Sequence, residues 1–463
     1  MIESHFIDIP KASAVTLPAE SSMDIMDDDQ ELEAMSVTVK DKTYDIMPFG
    51  KNNQLPYVIR EKVGANSVMS QNKFFNLLTC YSRGLEYMDI STVGSGKPMP
   101  TRDSEIRKFL LRNSMKRFFA EQIVDLKYYF FCVSVVILDR QRKNIVKIVH
   151  KDACHCRFEK MNEKGRIEHV FFANWRKNNS PENVEVIPLL DEWDPYGDLA
   201  ARTGKERDTL GIFKPDNKNI AKYAIVCRIP TVGCHYYPIP VYAAAFRDGW
   251  YDIYSLLTAV KKAKIRNGQN IRYHVEINTQ FWEDRARDKG ITIGSDEFKK
   301  MKDDFIEELK EYLAGGTNSD KLLWSEFQSI MNGQEKHFIK VNVVDTSKAG
   351  SEYNDDVAEA SNVLCYDDNV HPNLAGAVPG KSQMNNSGSD KRELFTMKQV
   401  LETLPHDMMM TVHNTVIFFN GWEDKVEPVV PLIMLTTLDK KTDAKETDTN
   451  NNNNSMEDGN NAN

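Results

Sequence analysis

The hydrophobic and polar positions of this chain are patterned only between its two ends. Residues 1–35 contain Asp27-Asp28-Asp29 and little to bury. They read as a disordered acidic arm, which we bound at 1–37. Ordered structure begins near Ser36, where SVTVKDKTYDIM alternates like a strand. Gly50-Lys51-Asn52-Asn53 is a turn ahead of Pro56. Helices are predicted from Pro56 to Val63 and from Ser67, as N-cap, to Ser82, with Gly84 ending the second. Another helical region spans Asp103 to about Lys127. Strands then dominate: VSVVILDR, IVKIVH, CRFEKM, RIEHVFFANW, VEVIPLL and YAIVCRI. Asn162 to Gly165 is a hairpin turn between two of them. This is an α+β domain with a meander-like sheet.

The middle of the chain changes period. A helix is predicted from Pro240, a suitable first position. Tyr242, Phe246, Trp250, Ile253, Leu257 and Val260 mark one face at spacings of three and four. Lys261, Lys262, Lys264 and Arg266 crowd its last turn, complementing the helix dipole. Asn267-Gly268 stops it after roughly 38 Å. A small α/β insert follows. IRYHVEI and HFIKVNVV are its strands, and Ser295 caps a helix with Phe298, Met301, Phe305, Leu309 and Tyr312 on one face, ended by Gly315-Gly316. A second helix runs from about Tyr353 to Asp368.

After His371-Pro372 comes a polar loop, Gly376 to Ser389, rich in Gly, Ser and Asn. A long helix then starts at Asp390, with Glu393 completing a capping-box variant. Leu394, Met397, Leu401, Leu404, Met408 and Val412 form its face, and Pro405 is expected to kink it. VVPLIML is a closing strand. Asn450 to Asn454 belong to a low-complexity tail over 437–463. Two helices joined by such a loop are built to present it, not to enclose a reacting bond.

A length of 463 residues implies two to four structural units. No apolar run approaches the roughly 18 residues of a membrane span. Residues 1–35 lack the basic start and apolar core of a secretory leader, so a cytoplasmic origin is expected. Seven irregularly spaced cysteines argue for reduced, mostly buried thiols. The net charge of −9 is unevenly spread: −8 over residues 1–35, +10 over 36–239 and −6 over 240–375. Uneven solvated faces account for such a pattern; so does an acidic middle facing something it must not grip.

Catalytic signatures are absent. There is no Walker A sequence, no GxGxxG after a strand, no HExxH and no GxSxG. His150, Cys154, His155 and Cys156 have poor ligand spacing for zinc and sit where neighbours face opposite sides of a strand. Cys234-His235 is similarly weak. Asp367-Asp368 reads as a polar helix end, and Tyr236-Tyr237 as core. Lys381 is the only cation in the Gly376–Ser389 loop. That loop is either a plain surface loop or one that touches a polyanion lightly, through one cation and several amides.

The sequence resembles the portal proteins of tailed bacteriophages, of the kind found in phages and prophages of Bacteroides-like hosts. The resemblance covers most of residues 45–438. It rests on FGKNNQLPYVIREKVGANSVMSQNKFFNLLTCYSRGLEY, IEHVFFANW, YYPIPVYAAAFRDGWYDI, HPNLAGAVPGKSQMNNSGSDKRELF and LTTLD, in that order. It implies a homo-oligomeric ring, typically of twelve copies, at one capsid vertex. Double-stranded DNA passes through its centre in packaging and ejection. The terminase large subunit and then head-tail connector proteins dock on its clip, and scaffold and major capsid protein surround its wing.

The resemblance implies a wing over 38–239 and 390–436, stem helices over 240–266 and 347–375, a clip over 267–346 and a tunnel loop over 376–389, with the crown reduced or absent. It further implies that Lys381, Ser382, Gln383, Asn385, Asn386 and Ser387 face DNA. Tyr242, Phe246, Trp250, Ile253 and Leu257 would pack subunits together, and Phe298, Phe305 and Trp324 would serve docking on the clip. No enzyme activity, cofactor, metal or membrane is implied, and the acidic middle would let DNA slide past without sticking. The competing reading is a metal-dependent nucleic-acid-processing enzyme of a mobile element, using Asp367 and Asp368.

Overall fold

The computed structural model describes residues 32–93, 98–176, 181, 183–206, 215–216, 219–266, 273–314, 327–329, 335–343, 353–375 and 388–433. The expectations for the acidic arm before residue 32, for the loop residues 376–387, for Trp324 and for the Asn-rich tail fall outside them. The chain divides into two compact units. The first comprises residues 1–247, 365–376 and 385–463, and the second 248–364 and 377–384.

Unit 1 begins with a hairpin of β1 (Met35–Val39) and β2 (Lys42–Ile46), where a single strand was expected. Lys40 and Asp41 both take positive φ, 48° and 66°, the conformation a two-residue hairpin turn requires. The first strand therefore starts inside the segment assigned to the acidic arm. Helices α1 (Leu55–Ala65) and α2 (Ser67–Tyr81) follow. The cap of α2 is Asn66 rather than Ser67: its Oδ1 accepts from the amides of Val68 (3.0 Å) and Met69 (3.1 Å).

Next come β3 (Glu86–Asp89), α3 (Ile90–Val93), α4 (Ser104–Arg112) and α5 (Met115–Tyr129). The helical region expected over 103–127 is thus two helices, parted at Ser114, whose φ is 46°. The remaining elements of this stretch are β4 (Phe131–Leu138), β5 (Ile145–Lys151), β6 (Cys156–Phe158), β7 (His169–Phe172), β8 (Glu185–Pro188), α6 (Pro195–Thr203) and β9 (Lys222–Arg228). They form two antiparallel sheets, ordered β5-β4-β9 and β6-β7-β8, instead of one meander. The 3-10 turn Ala153–His155 takes the chain out of the first sheet, and β9 returns to pair with β4 along its other edge. With a partner on both edges, β4 is buried at seven of its eight positions, so its sequence is a near-continuous apolar run.

The turn at Gly50–Asn53 has a specific reader. Arg157 is fully buried in β6, donates from Nε to Asn53 Oδ1 and from Nη2 to Asn53 O (2.9 Å), and from Nη1 to the carbonyls of Cys154 (3.1 Å) and Cys156 (2.6 Å). Its guanidinium also lies 5.6 Å from the ring centres of Phe49 and Trp175. A lysine has neither the fork nor the stacking plane. Arg157→Lys is therefore expected to cost at least about 2 kcal/mol, read as a lower urea midpoint.

The helix predicted over 240–266 is divided. Val241–Phe246 is a 3-10 segment, and α7 (Trp250–Arg266) starts only after Gly249, whose φ of 89° breaks the helical path. Unit 2 contains α7, β10 (Tyr273–Ile277), α8 (Thr279–Asp288), α9 (Asp296–Ala314), β11 (Phe327–Ser329), β12 (Glu335–His337), β13 (Ile339–Val343) and most of α10 (Asn354–Asp367). The two strands foreseen here pair antiparallel, from Tyr273↔Val343 to Ile277↔Ile339. Ser295 caps α9 through its Oγ, which accepts from Phe298 N at 3.2 Å. Helix α8 was not foreseen; Asn278 starts it by accepting from Gln280 N at 3.0 Å.

The chain re-enters unit 1 at Cys365, within α10; to unit 1 also belong α11 (Pro372–Ala375), α12 (Gly388–Leu401), α13 (Thr403–Asn420) and β14 (Val426–Val429), which pairs with β3. Asp390 lies in the first turn of α12 and is not its cap. The expected kink at Pro405 is a break at Glu402. The restart at Thr403 puts Pro405 in a first turn, where its missing N–H has no partner to lose. The closing strand lies earlier than VVPLIML because its register is set by Glu86–Asp89. The largest core of the unit gathers Phe119, Ile123, Leu126, Val136, Val412 and Val416 among others, so α5 and α13 pack on the first sheet. None of the seven cysteines is in a disulfide, and six are buried. Among the described residues no helix is long and apolar enough to cross a membrane.

Candidate functional site

The described structure stops on either side of the polar loop, and both of its roots are tied into unit 1 by buried charge. Helix α2 supplies one side. Asn72, Lys73 and Asn76 share a face that points inward, while Phe74 and Leu78 point outward with 55% and 51% exposure. This inverts the usual amphipathic order. The polar face is needed because Lys73 Nζ pairs with Asp368 Oδ1, both side chains being almost wholly buried. Asn76 Nδ2 donates to the Asp368 carbonyl at 2.9 Å, and Cys365 Sγ lies 3.6 Å from Asn72 Oδ1. The Lys73 ammonium also sits over the ring of Tyr242, whose hydroxyl donates to the Tyr128 carbonyl. Burial pulls the Lys73 pKa down to about 8, against the opposing pull of Asp368.

A second cluster holds the root that follows the loop. Lys398 on α12 donates to the Asn369 carbonyl at 3.1 Å and lies 3.2 Å from Glu402 Oε1. Glu402 Oε2 is paired with Lys127 of α5. Burial alone would raise the Glu402 pKa; Lys127 and Lys398 together outweigh it and hold the carboxyl below its usual range. His406 meets the Cys80 carbonyl at 2.7 Å. The Lys398–Asn369 bond joins the chain just before the loop to the helix just after it. The arrangement ties α2, α5 and α12 to the segment that follows α10. Its ions are spent on one another.

The predicted site residues scatter. Lys381, Ser382, Gln383, Asn385, Asn386, Ser387 and Trp324 lie outside the described residues. Tyr242 and Phe246 are 2% and 4% exposed, engaged by Lys73 and Lys62 of their own unit. Trp250, Ile253 and Leu257 are on α7, Ile253 exposed and the other two half-buried. Phe298 is 8% exposed. It belongs to the core of unit 2 with Trp282, Ala286 and Met301. Phe305 packs there too, 5.3 Å from the Phe281 ring and 5.4 Å from Trp282, with the Arg285 guanidinium over its face at 4.7 Å. A helix with one apolar face buries it first in the nearest core available, here that of the small unit itself.

The candidate metal ligands also part company. His150 Nε2 meets Asp125 Oδ2 at 2.9 Å, and His155 Nδ1 meets the Tyr57 hydroxyl at 3.1 Å. Burial pushes the thiols of Cys154 and Cys156 up, that of Cys154 to about 11. Among the described residues, two sets of side chains bring possible ligand atoms within 4.8 Å, Asp125 with His150 and Asp152, and Glu159 with Glu168 and His169. In each the histidine is already bonded to a carboxylate, at 2.9 Å and 2.7 Å. Asp368 is buried against Lys73, which removes it from any solvent-facing metal centre. Tyr237 is core as expected, stacked 4.1 Å from Phe49 with its hydroxyl donating to Met47 O at 2.8 Å.

Sequence reasoning missed Lys73, Lys127, Lys398 and Glu402. Their partners are 275 and 295 residues away in the two long-range pairs. The one local signal was the outward apolar pair Phe74 and Leu78, which implies that the opposite face of α2 is the buried one.

No family model matches the chain, and no curated protein sequence matches it. Solved structures do. A chain from the virion of a native gene transfer agent (GTA) particle superposes with a TM-score of 0.50 at 12% identity, over 81% of this chain and 82% of that one. A chain from the neck of the empty GTA particle, computed with C6 symmetry, gives 0.49 at 11% over 81% and 83%. One from the neck of the native GTA particle, computed with C12 symmetry, gives 0.49 at 11% over 82% and 85%. The protein thus has a mixed α/β fold shared, over about four-fifths of its length, with a component of a GTA virion.

Proposed function

We propose that the chain is the portal-type subunit of a phage-like particle. Copies close into a ring at one vertex of the shell, twelve in the family it resembles, and double-stranded DNA passes through the middle during packaging and ejection. The observation that carries this reading is the fold likeness to a GTA virion component. The role is structural and not enzymatic. Residues 38–239 and 390–436 are the wing, Trp250–Arg266 and 347–375 the stems, 267–346 the clip and 376–389 the tunnel loop. The net −6 of residues 240–375 repels phosphate, and one Lys381 per copy gives weak, sequence-independent contact. Ser382, Gln383, Asn385, Asn386 and Ser387 line the same constriction. Terminase large subunit and connector proteins dock on the clip, whose shape Phe298 and Phe305 maintain from inside. Scaffold and major capsid protein meet the wing.

An exposed apolar stripe supports the ring. Met397, Val400, Leu401 and Leu404 recur at helical spacing along α12 and into α13, between 49% and 63% exposed. Phe74 and Leu78 lie outward on α2, which packs against α12. A stripe of this kind on a folded unit marks a protein interface. Mass photometry of the purified chain is expected to find rings of about twelve copies. Val400→Asp with Leu401→Asp is expected to give folded monomers, with an unchanged circular dichroism spectrum. A wild-type chain that stays monomeric at high concentration would overturn the proposal.

A further inference from the structure

A groove with a cavity volume of ≈ 890 Å³ runs between β3, α4 and the start of α5 in unit 1. Its floor is apolar, with Leu85, Leu110 and Met115, and Leu111 stands at its edge with 79% exposure. The rim is cationic: Arg107, Lys108 and Lys116 are exposed, and among the described residues none of the three has an ion-pair partner. Among the described residues Glu86 is the one acid lining the groove. The start of α5 adds to this polarity. Its N-cap Ser114 makes no side-chain cap hydrogen bond, and its first turn carries Lys116 and Arg117 but no acid. Arg117 is answered by Glu121, one turn further on. Cations in a first turn oppose the helix dipole, whose positive end favours carboxylates.

The surroundings of the groove select the class of occupant. Both edges of β3 are taken, one by β14 and the other by residues 99–101, with Asp89 N donating to Met99 O (2.8 Å) and Thr101 N to Tyr87 O (2.9 Å). An incoming strand has no edge to extend there, and Pro100 has no N–H to offer. A nucleic-acid strand would need aromatic faces to stack on, and the aromatic residue lining the groove, Tyr87, is 2% exposed. An apolar floor beside cations fits a helix with apolar side chains on one face and carboxylates on its flanks. We propose that this groove docks an acidic amphipathic helix of a partner protein. The apolar face of that helix meets Leu85, Leu110, Leu111 and Met115. Its carboxylates meet Arg107, Lys108, Lys116 and the first turn of α5. Complementary charge speeds the encounter and sets the orientation, and apolar contact slows release.

Fluorescence anisotropy of the full chain with dye-labelled peptides of about 15 residues tests this. One peptide has leucines at i, i+3, i+4 and i+7 with Glu and Asp between them. A second keeps the leucines and replaces the acids by Lys; a third keeps the acids and replaces the leucines by Ala. Only the first is expected to bind, several-fold more weakly at high salt than at low. Lys108→Glu with Lys116→Glu is expected to weaken binding by at least about tenfold. Leu111→Ser should weaken it several-fold. All three side chains are exposed, so circular dichroism should not change in either variant. In hydrogen exchange the bound peptide should protect residues 104–117. No binding of the acidic peptide, equal binding of the basic one, or affinity unchanged in both variants would overturn the proposal. Displacement of the peptide by a duplex DNA oligonucleotide at equal concentration would refute it in favour of a nucleic-acid contact. Loss of rings in the charge-reversed chain would refute it in favour of a contact between copies. Peptide binding is read on whatever oligomer forms, so failure of the ring leaves this test intact.

Discussion

Replacing Asp368 by alanine is expected to destabilise unit 1 by about 3–5 kcal/mol, the cost of leaving one member of a buried ion pair alone. Lys73 would keep its place among Asn72, Asn76 and the Tyr242 ring with no carboxylate to offset its desolvation. Its pKa, already drawn down to about 8, would fall further. The double variant Lys73→Met with Asp368→Leu is expected to recover most of the loss, because two apolar side chains of similar volume remove the charge from both sides. Urea unfolding of the three proteins measures this. A single variant as stable as the wild type would mean that Lys73 finds water in its place. The same variants test the loop's anchoring, since Asp368 is the last charged side chain before the polar loop. A chain that unfolds normally but no longer assembles would assign the pair a role in loop placement beyond stability.

The second large effect is on pH. His413 is fully buried on α13, its Nδ1 3.2 Å from the Tyr87 hydroxyl and its Nε2 3.4 Å from Gln122 Oε1. Burial takes its pKa down to about 3. The unfolded chain, with a histidine pKa near 6.5, takes up a proton below that pH and the folded chain does not. Stability is therefore complete above about pH 6.5 and declines as the pH falls toward 3, by about 2 kcal/mol at pH 5 from this group alone. His413→Gln keeps a polar side chain and removes the titration. The gap in stability between the wild type and this variant is expected to shrink by about 2 kcal/mol from pH 7 to pH 5. A gap that stays constant would mean that His413 is protonated within the fold. Glu402 does not confuse the comparison. Its pKa is held below the usual carboxylate range, so its stabilising contribution is present above about pH 4.3 and is lost only below it.

Much of the fold was legible because local periodicity is a local property. The strands β4, β5, β7 and β9, the helices α1, α2, α9 and α10, and the pairing partners β10 and β13 all fall where the alternation or the three-and-four spacing puts them. The errors share a cause. Lys40-Asp41, Ser114 and Gly249 each divide an element that reads as continuous, because one or two positive φ values leave the hydrophobic pattern intact, whereas the break at Glu402 falls three residues before the kink expected at Pro405. The pattern records which residues are apolar, not where the backbone changes direction.

The candidate site was less legible, and for a different reason. Phe298, Phe305, Tyr242 and Phe246 are apolar residues on good helical faces, and a face alone does not say whether it meets its own unit or another molecule. Conversely, Lys73, Lys398 and Glu402 look like ordinary solvated charges in the sequence; only tertiary contact makes them interior.

By itself the sequence determined the mixed α and β class, the division of charge and a set of cysteines outside any disulfide. Each follows from composition or from short-range spacing. The tertiary structure decided that two sheets replace one, that α2 turns its polar face inward, and that buried ion pairs tie α2 to Asp368 and α5 to Glu402. Those features arise from partners hundreds of residues apart, and no local pattern encodes which distant charge will share a dry interior with which.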